Sequence, residues 1–270
     1  MKTVIQLYND MVTTVTVFYE QFNLKRYEAH TGRPLALTII ETIALAIFKQ
    51  ANNIATKKAL WNIFRPLCAY KTLVVNMNKH AVLALHILKI LISLNRAFAH
   101  PLKHTDSTDI PVCLNKNAMR HKTMDGFAQW GHSGKGWFYG LKLGLTADLP
   151  QKVQNVILAP GNTDDRKLFM RLNEKLRGIF VADAGHISEK LEREFFIENE
   201  RIALIKPKKN MKKLVTKIQK LLYDTRMRIE TNFRSLKLFY GLVTSLPRSI
   251  NGYFANYIYS ILAYVCARAG

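Results

Sequence analysis

The chain has 270 residues, of which 49% are hydrophobic and 22% are charged, a globular composition that excludes a largely disordered protein. Forty lysine and arginine residues stand against nineteen aspartate and glutamate residues, so the formal net charge is +21. Such an imbalance indicates a polyanionic partner, with nucleic acid as the first candidate and a membrane surface as the second.

The first 97 residues are predicted to form a helical region. Two dense apolar segments, "LALTIIETIALAIFKQ" and "HAVLALHILKILISLNRAF", have the spacing of largely buried helices. The apolar runs within them, "ALTIIETIALAIF" and "AVLALHILKILISL", are shorter than the roughly 20 apolar residues of a membrane span, and each carries a charge or a histidine. Both are therefore interpreted as core helices. No acidic residue occurs between Glu41 and Asp106, while nine lysines and arginines do. This charge suits contacts with DNA phosphates, although a solvated polar face explains it equally well.

A cytoplasmic location is expected from two features of the chain. The opening residues "MKTVIQLYNDMV" lack the charged lead, apolar core and cleavage site of a signal peptide. The cysteines, Cys68, Cys113 and Cys266, are odd in number and widely spaced, which indicates neither a disulfide framework nor a zinc site.

From residue 98 to residue 270 the sequence predicts a mixed α/β domain. The predicted order is three strands, helix, strand, helix, strand and a largely helical segment. The strands are predicted in "LKHTDSTDIPVC", "GKGWFYGLKLGLTA", "KVQNVILAPG", "GIFVADAG" and "RIALIKP". Thr163 is predicted to cap the helix that opens with "TDDRK". The rings of Trp130, Trp137, Phe138 and Tyr139 either fill the core or stack on a splayed base.

Three acidic residues on separate elements are candidates for a metal site. Asp106 lies on the first strand of this domain, Asp183 ends a buried strand, and Glu230 lies on a later predicted helix. Hard cations such as Mg²⁺ and Mn²⁺ prefer oxygen ligands, and open α/β sheets place ligands at the carboxyl ends of their strands. The residues alone leave an alternative open, in which the acids are unrelated and Asp183 belongs to an ordinary turn.

A cluster of lysines precedes the last of these acids. Seven of the fifteen residues from Lys206 to Lys220 are lysine and none is acidic. We interpret this segment, with Lys208, Lys209, Lys212 and Lys213, as a stripe that follows DNA phosphates; a solvated surface is the alternative.

The segment "YDTRMRIETNFRSLK" places Tyr223, Arg226, Glu230 and Lys237 in the pattern Y-x2-R-x3-E-x6-K. On one continuous helix, with about 3.6 residues per turn, all four side chains would line one face. Arg226 and Glu230 are then four residues apart, where an ion pair forms readily.

These residues match the Y-R-E-K signature of a known family at all four positions. The chain resembles bacterial insertion-sequence transposases of the DDE type, whose catalytic domain has the RNase H-like fold. The likeness covers most of residues 98–270, including "DSTDIPVC", "HKTMDGFAQWGHSGKGWFYGLKL", "GNTDDRK" and "LPRSINGYFANYIYSILAYVCA". The resemblance implies an α/β domain with an RNase H-like mixed sheet flanked by helices, preceded by an all-α, DNA-binding region of residues 1–97.

The resemblance also implies a reaction. Asp106, Asp183 and Glu230 would be the catalytic acids and would hold Mg²⁺ or Mn²⁺, as two ions. The enzyme would cleave transposon ends and join the freed 3′-hydroxyls to target DNA by two-metal phosphoryl transfer.

The implied partners are the terminal inverted repeats and the target DNA, with no membrane. A dimer or higher oligomer on DNA is implied, with the protein located at the bacterial nucleoid in the cytoplasm. Tyr223, Arg226 and Lys237 would hold backbone phosphates around the scissile bond.

Two departures from the family pattern favour an alternative. Ala184, Gly185 and His186 stand where relatives usually carry Lys, Gly and Tyr, and Gly144 stands where relatives commonly carry His. The alternative is a DNA-binding relic of a transposase with impaired catalysis. A basic protein that associates with membrane surfaces is a further alternative.

Overall fold

Two groups of elements pack separately in the computed structural model, which describes residues 3–28, 36–66, 68–183, 189–197, 200–205 and 216–268. The helical unit comprises Met1–Leu91 and Ser235–Arg268, and the sheet unit comprises Ile92–Arg234. The predicted domain division after residue 97 stays a prediction, and these compact units differ from it in where residues 235–268 belong.

The helical unit is built around two mostly buried helices, Ile39–Ala51 and Ile250–Arg268. Its helices are α1 (Val4–Gln21), α2 (Ile39–Ala51), α3 (Lys57–Phe64), α4 (Tyr70–Lys79), the first part of α5 (Ala81–Ala97) and α10 (Ile250–Arg268), with a 3₁₀ turn at Leu24–Tyr27. Helix α2 begins with a capping box in which Thr38 and Glu41 satisfy each other's backbone amides. Most of α2 after that turn is buried.

Helix α10 belongs to the helical unit because polar and apolar contacts attach it there. The amide of Gln50 on α2 donates to Asn256 Oδ1 at 2.8 Å, and the Tyr259 hydroxyl donates to the Met77 carbonyl at 2.9 Å. The partners in these two bonds are 206 and 182 residues apart in the chain, so the local sequence pattern does not reveal the bonds.

Lys49 is buried and Lys57 is half-buried in the helical unit, each beside an amide oxygen. Lys49 Nζ lies 3.3 Å from Gln50 Oε1, and Lys57 Nζ lies 2.6 Å from Asn78 Oδ1. Burial lowers the pKa of each amine from 10.5 to about 8, and for Lys57 the charge of Lys49 lowers it further. The folded unit therefore bears a cost for keeping both amines charged at neutral pH.

We expect the helical unit to become more stable as pH rises from about 8 to 10.5. In that window the unfolded chain still binds the two protons that the folded chain has released, and each amine contributes up to ~3 kcal/mol. Lys49→Met should raise the thermal midpoint at pH 7 and reduce the further rise at high pH, as followed by circular dichroism. Lys71→Met, an exposed control, should keep the full pH dependence; an equal pH dependence in Lys49→Met would contradict the assignment.

The sheet unit contains one mixed six-stranded sheet. The strands are β1 (Leu102–Pro111), β2 (Gln129–Ser133), β3 (Gly136–Asp148), β4 (Val153–Pro160), β5 (Gly178–Ala182) and β6 (Arg201–Ile205). The order is β2-β3-β1-β5-β6, and β4 also pairs with β3. β1 is central, antiparallel to β3 and parallel to β5. This arrangement confirms the predicted mixed α/β fold class.

Helices complete the core of the sheet unit. They are α6 (Asp165–Asn173), α7 (Glu189–Phe195), α8 (Lys217–Asp224) and the first part of α9 (Met227–Leu238), with a 3₁₀ turn at Asn115–Arg120. Phe169 of α6 and Phe195 of α7 pack with Phe180 of β5 in one buried cluster. The three rings fix both helices to the middle of the sheet.

Two details of this unit differ from the sequence predictions. The short strand β2 was not predicted; it forms a hairpin with the beginning of β3. The N-cap of α6 is Asp164 instead of Thr163, because the Asp164 side chain accepts a hydrogen bond from the Arg166 amide at 2.7 Å.

The described helices were also compared with the dimensions of a membrane. None of them alone is long and apolar enough to cross a bilayer, and only α4 and α5, which meet at a 43° bend, satisfy length and composition as a pair.

Candidate active site

Asp106 lies in the middle of the central strand. It pairs with Leu145 of β3, and the four residues that precede it in β1 are buried. The Ser107 amide donates to Asp106 Oδ1 at 2.7 Å, and the aspartate side chain is 15% exposed. The sheet therefore holds this carboxylate in a fixed orientation with one side open to solvent.

The prediction that the Y-R-E-K residues share one continuous helix is wrong. Helix α8 ends at Asp224, and α9 begins at Met227, with Thr225 and Arg226 in a turn between them. The Thr225 hydroxyl and its amide both donate to the Leu222 carbonyl, at 2.5 and 3.2 Å. These short-range bonds tighten the end of α8 and interrupt the helix.

Tyr223, the first residue of the signature, is a core residue of α8. Its hydroxyl donates to the Ile205 carbonyl at 2.7 Å, and its ring packs with Leu102 and Val181. Burial raises the pKa of this phenol. Tyr223 therefore anchors α8 to the sheet, and its contact with a DNA phosphate stays a prediction.

The turn between α8 and α9 is held against β1 by a buried histidine. His104 Nε2 lies 2.8 Å from Thr225 Oγ1, which accepts from the imidazole because its own proton goes to Leu222. Burial, together with the charges of Arg228 and His100, lowers the His104 pKa to about 4, so the ring is neutral at pH 7. This bond fixes the position of Arg226, the next residue in the chain.

Arg226 joins two of the three predicted acids. One of its terminal nitrogens lies 3.4 Å from Asp106 Oδ2, and the other lies 3.0 Å from Glu230 Oε1. The guanidinium is 24% exposed, and the Glu230 side chain is 45% exposed. The predicted pair between Arg226 and Glu230 is present. One positive group therefore lies between carboxylates that come from the sheet and from a helix.

The third predicted acid, Asp183, directly follows β5 and is exposed. β5 runs parallel to β1, with His104 paired to Val181. Asp106 and Asp183 each lie two residues beyond this pair, so the register puts them at the same level of neighbouring strands. The two aspartates thus belong to neighbouring strands at one level of the sheet.

A cleft of about 440 Å³ opens beside Asp106 and Glu230. It is bounded by the end of β1, the turn between β2 and β3, and the beginning of α6. Its lining residues are Asp106, Ser107, Thr108, Asp109, His132, Ser133, Gly134, Lys135, Phe138, Lys142, Asp165 and Glu230. An acidic cleft with a few basic groups is suited to a phosphate that is bound together with cations.

Residues 97–249 match the family model of the transposase DDE domain, which covers more than half of the chain. The chain belongs to the transposase DDE-domain family. This membership confirms the recognition made from the Y-R-E-K residues at the level of DDE transposases. No curated protein matches the sequence.

A solved transposase structure shares the fold of this DDE-domain protein. A synaptic complex of piggyBac transposase with hairpin DNA aligns with a TM-score of 0.53 and 10% identity, over 100% of this chain and 74% of the other. The Mos1 strand transfer complex aligns with a TM-score of 0.25 and 12% identity, over 96% and 87% of the two chains. At this identity the piggyBac likeness shows the fold alone.

DDE transposases generally use divalent metal ions. Within the described ranges, no group of three histidine, cysteine, aspartate or glutamate side chains converges closely enough to hold a metal ion. The donor types do fit, because Asp106 and Glu230 already share one cationic group, the Arg226 guanidinium.

The sequence analysis missed a polar network on the wall of the cleft. Asp165, at the beginning of α6, accepts from the Ser107 hydroxyl at 2.6 Å and from Lys142 Nζ at 3.0 Å. Lys142 also donates to the Thr163 carbonyl at 2.9 Å. The helix dipole alone accounts for an acid in the first turn of a helix, so only the sheet partners reveal this network.

Gly144 has a packing explanation in this DDE domain. A Cβ atom at this position would lie 2.7 Å from Leu172 Cδ1 and 2.8 Å from Leu168 Cδ2, both on α6. The glycine therefore lets α6 pack closely on β3, where the histidine of relatives would not fit without rearrangement. Ala184, Gly185 and His186, the other departure, lie outside the described residues.

The remaining predicted DNA contacts are those of five lysines. Lys237 lies on α9, seven residues after Glu230. Lys208, Lys209, Lys212 and Lys213 lie outside the described residues. Their predicted contacts with phosphates stay predictions.

Proposed function

We propose that this protein is a DNA transposase that cleaves transposon ends and joins the freed 3′-hydroxyls to target DNA. The observation that carries the proposal is the meeting of Asp106 and Glu230 on one guanidinium beside a cleft of the DDE domain. Asp183 is proposed as the third acid, because it follows the strand that is parallel to β1.

The proposed cofactor is Mg²⁺ or Mn²⁺, as two ions, held by Asp106, Asp183 and Glu230. Bound there, the ions would supply Lewis-acid activation of a water or hydroxyl and stabilise the leaving oxygen. The protein needs no covalent nucleophile for this chemistry, so the acids act as ligands and do not attack the DNA.

The side chains of the protein would position the scissile phosphate. The central strand orients Asp106, and the turn fixed by His104 and Thr225 orients Arg226. Lys142, held by Asp165, presents a fixed positive charge on the wall of the cleft. We propose that Lys142 and Arg226 neutralise the phosphate oxygens, which accumulate negative charge in the transition state.

The proposed partner is DNA, as transposon terminal repeats and as target. The net charge of +21 favours a polyanion, and the piggyBac structure with the same fold is a complex with hairpin DNA. Lys237 and the four lysines at 208, 209, 212 and 213 are proposed to contact backbone phosphates. We further propose that the protein acts as a dimer or higher oligomer on DNA, because two transposon ends must be joined to one target.

The proposed function is tested with the purified chain and a supercoiled plasmid that carries the gene with its flanking DNA. We expect strand cleavage at the gene's boundaries in Mg²⁺ or Mn²⁺, and none in EDTA. Binding to the same DNA, measured by fluorescence anisotropy, should weaken as salt rises, with a log–log slope of about −0.9 per phosphate contacted.

Two outcomes separate the alternatives. Salt-dependent binding without cleavage in either metal would replace the proposal by the catalytically impaired relic. Binding to anionic vesicles without binding to DNA would instead favour the alternative of a basic protein that associates with membrane surfaces.

A further inference from the structure

The hairpin of β2 and β3 carries a row of aromatic rings on one face. Trp130 pairs with Tyr139 across the hairpin, and His132 pairs with Trp137, so the four side chains point to the same side. The Trp130 and Tyr139 centroids are 5.7 Å apart, and those of His132 and Trp137 are 5.2 Å apart. Each aromatic pair packs across the two strands and so stabilises the hairpin.

Packing of the hairpin against the core does not explain why these aromatic rings lie on this face. Phe138 points to the opposite side and is 4% exposed, so the buried side of the hairpin is already filled. Trp137 is 64% exposed and Trp130 is 37% exposed. Exposing two tryptophans carries a solvation cost that a core position would have avoided, which indicates a binding role.

The aromatic face adjoins the candidate active site. The hairpin residues His132, Ser133, Gly134 and Lys135 line the same cleft as Asp106 and Glu230. The amide of Asn115 donates to the Trp137 carbonyl at 2.7 Å and ties the preceding 3₁₀ turn to the hairpin. Of the aromatic row, His132 itself lines the cleft, and its ring lies 5.2 Å from that of Trp137. A strand that extends from the cleft past His132 would therefore meet Trp137 next.

The charges around the face select the class of ligand. Between Ile110 and Ala147 the sequence contains one acidic residue, Asp125, and five cationic residues. The cations are Lys116, Arg120, Lys122, Lys135 and Lys142. Aromatic faces among lysines and arginines match the flat bases and the phosphates of a nucleic acid strand. A protein interface is ordinarily depleted in lysine, which disfavours a second copy of the chain as the occupant.

We propose that Trp137 and Trp130 form a platform that stacks on an unpaired base of the DNA strand held in the cleft. The platform rests on the proposed function, since it requires DNA in the cleft. Its ligand is a single-stranded segment beside the scissile phosphate, and stacking tolerates any base because every base has an aromatic face. The rings would hold the strand end in place without contacting the reacting atoms.

The test uses two DNA probes that share one duplex sequence. One duplex is blunt, and the other has a short 3′ overhang that contains 2-aminopurine. We expect the wild-type protein to quench the 2-aminopurine fluorescence on binding and to prefer the overhang duplex. Trp137→Ala should lose the quenching and weaken overhang binding about tenfold, while affinity for the blunt duplex stays the same.

Two further variants keep the test specific. Trp137→Phe keeps an aromatic face and should retain part of the quenching and of the overhang preference. Met119→Ala removes an apolar side chain that is 91% exposed and nearby in sequence but carries no ring, and it should behave as wild type. Because Trp137 is exposed, the thermal midpoint of Trp137→Ala should match the wild type and exclude misfolding.

The outcomes distinguish failure of the platform from failure of the proposed function. Cleavage and DNA binding with equal quenching in wild type and in Trp137→Ala would overturn the platform alone. A change of oligomeric state in Trp137→Ala, with unchanged quenching, would reassign the face to contacts between copies. Binding of neither duplex by the wild type would overturn the proposed function and the platform with it.

Discussion

Asp106→Asn is expected to reduce DNA strand cleavage by at least about a hundredfold, with DNA binding retained. The substitution keeps the shape of the side chain and removes the charge that a metal ligand needs. Removing a negative charge from a protein of net charge +21 does not weaken, and can tighten, its binding to DNA. The same result is expected for Asp183→Asn and Glu230→Gln, measured by plasmid cleavage and by anisotropy on the same preparations.

Asp125→Asn is the matched control for these three variants. Asp125 is an exposed acid of the same unit whose Oδ1 accepts from the Gly126 amide, and it does not line the cleft. This variant should cleave as the wild type does. If Asp106→Asn cleaved at a rate comparable to Asp125→Asn, the carboxylate at position 106 would be structural and the proposed acid set would fail.

Glu230→Gln separates two interpretations of the ion pair with Arg226. A partly exposed pair of this kind contributes only about 0–1 kcal/mol to stability, so the thermal midpoint should change little. A large loss of cleavage with a small change in stability therefore identifies Glu230 as a functional acid. Normal cleavage by this variant would leave Glu230 as half of a surface ion pair.

The sequence was sufficient to predict the elements whose residues are locally distinctive. The apolar run that leads to Asp183 and the strand that carries Asp106 both have strand periodicity, and both strands are present as β5 and β1. Because parallel neighbours end at one edge of a sheet, the nearness of these two acids could also be expected. Their roles in catalysis remain predictions.

The break between α8 and α9 could not be predicted, because it depends on contacts that are distant in sequence. "YDTRMRIETNF" contains neither proline nor glycine, and its spacing is that of a continuous helix. The turn is fixed by His104, a residue of β1, through Thr225. Strand β2 escaped prediction for a similar reason, since only pairing with β3 gives this glycine-rich segment an extended conformation.

The network of Asp165, Ser107 and Lys142 could not be predicted either, because it depends on how the strands pair. Each residue has an ordinary local explanation, as a helix-start acid, a strand hydroxyl and a strand lysine. Only the pairing of β1 with β3 brings Ser107 opposite Gly144, beside Lys142 and within reach of α6. Tertiary register, which the sequence alone does not specify, turned three unremarkable residues into one wall of the cleft.

Arg226→Gln is expected to increase the affinity of the free protein for Mn²⁺ by roughly tenfold. The guanidinium lies between Asp106 and Glu230, where a divalent ion held by these acids would have to replace it. Each partly exposed ion pair contributes up to about 1 kcal/mol, and about 1.4 kcal/mol corresponds to a tenfold change in affinity. Titration calorimetry with Mn²⁺ in the absence of DNA measures this change without any dependence on cleavage.

Arg228→Gln provides the control, because it makes the same change in net charge two residues away. Arg228 donates to the Leu149 carbonyl at 2.7 Å and is exposed, so its loss alters the general field but no carboxylate pair. Only Arg226→Gln should bind Mn²⁺ more tightly, and Arg226→Lys, which keeps the charge on a single nitrogen, should lie between. Equal effects of Arg226→Gln and Arg228→Gln would mean that the ion binds elsewhere. Weaker Mn²⁺ binding in Arg226→Gln would mean that the guanidinium supports the acids instead of competing for them, because without it the two carboxylates would move apart.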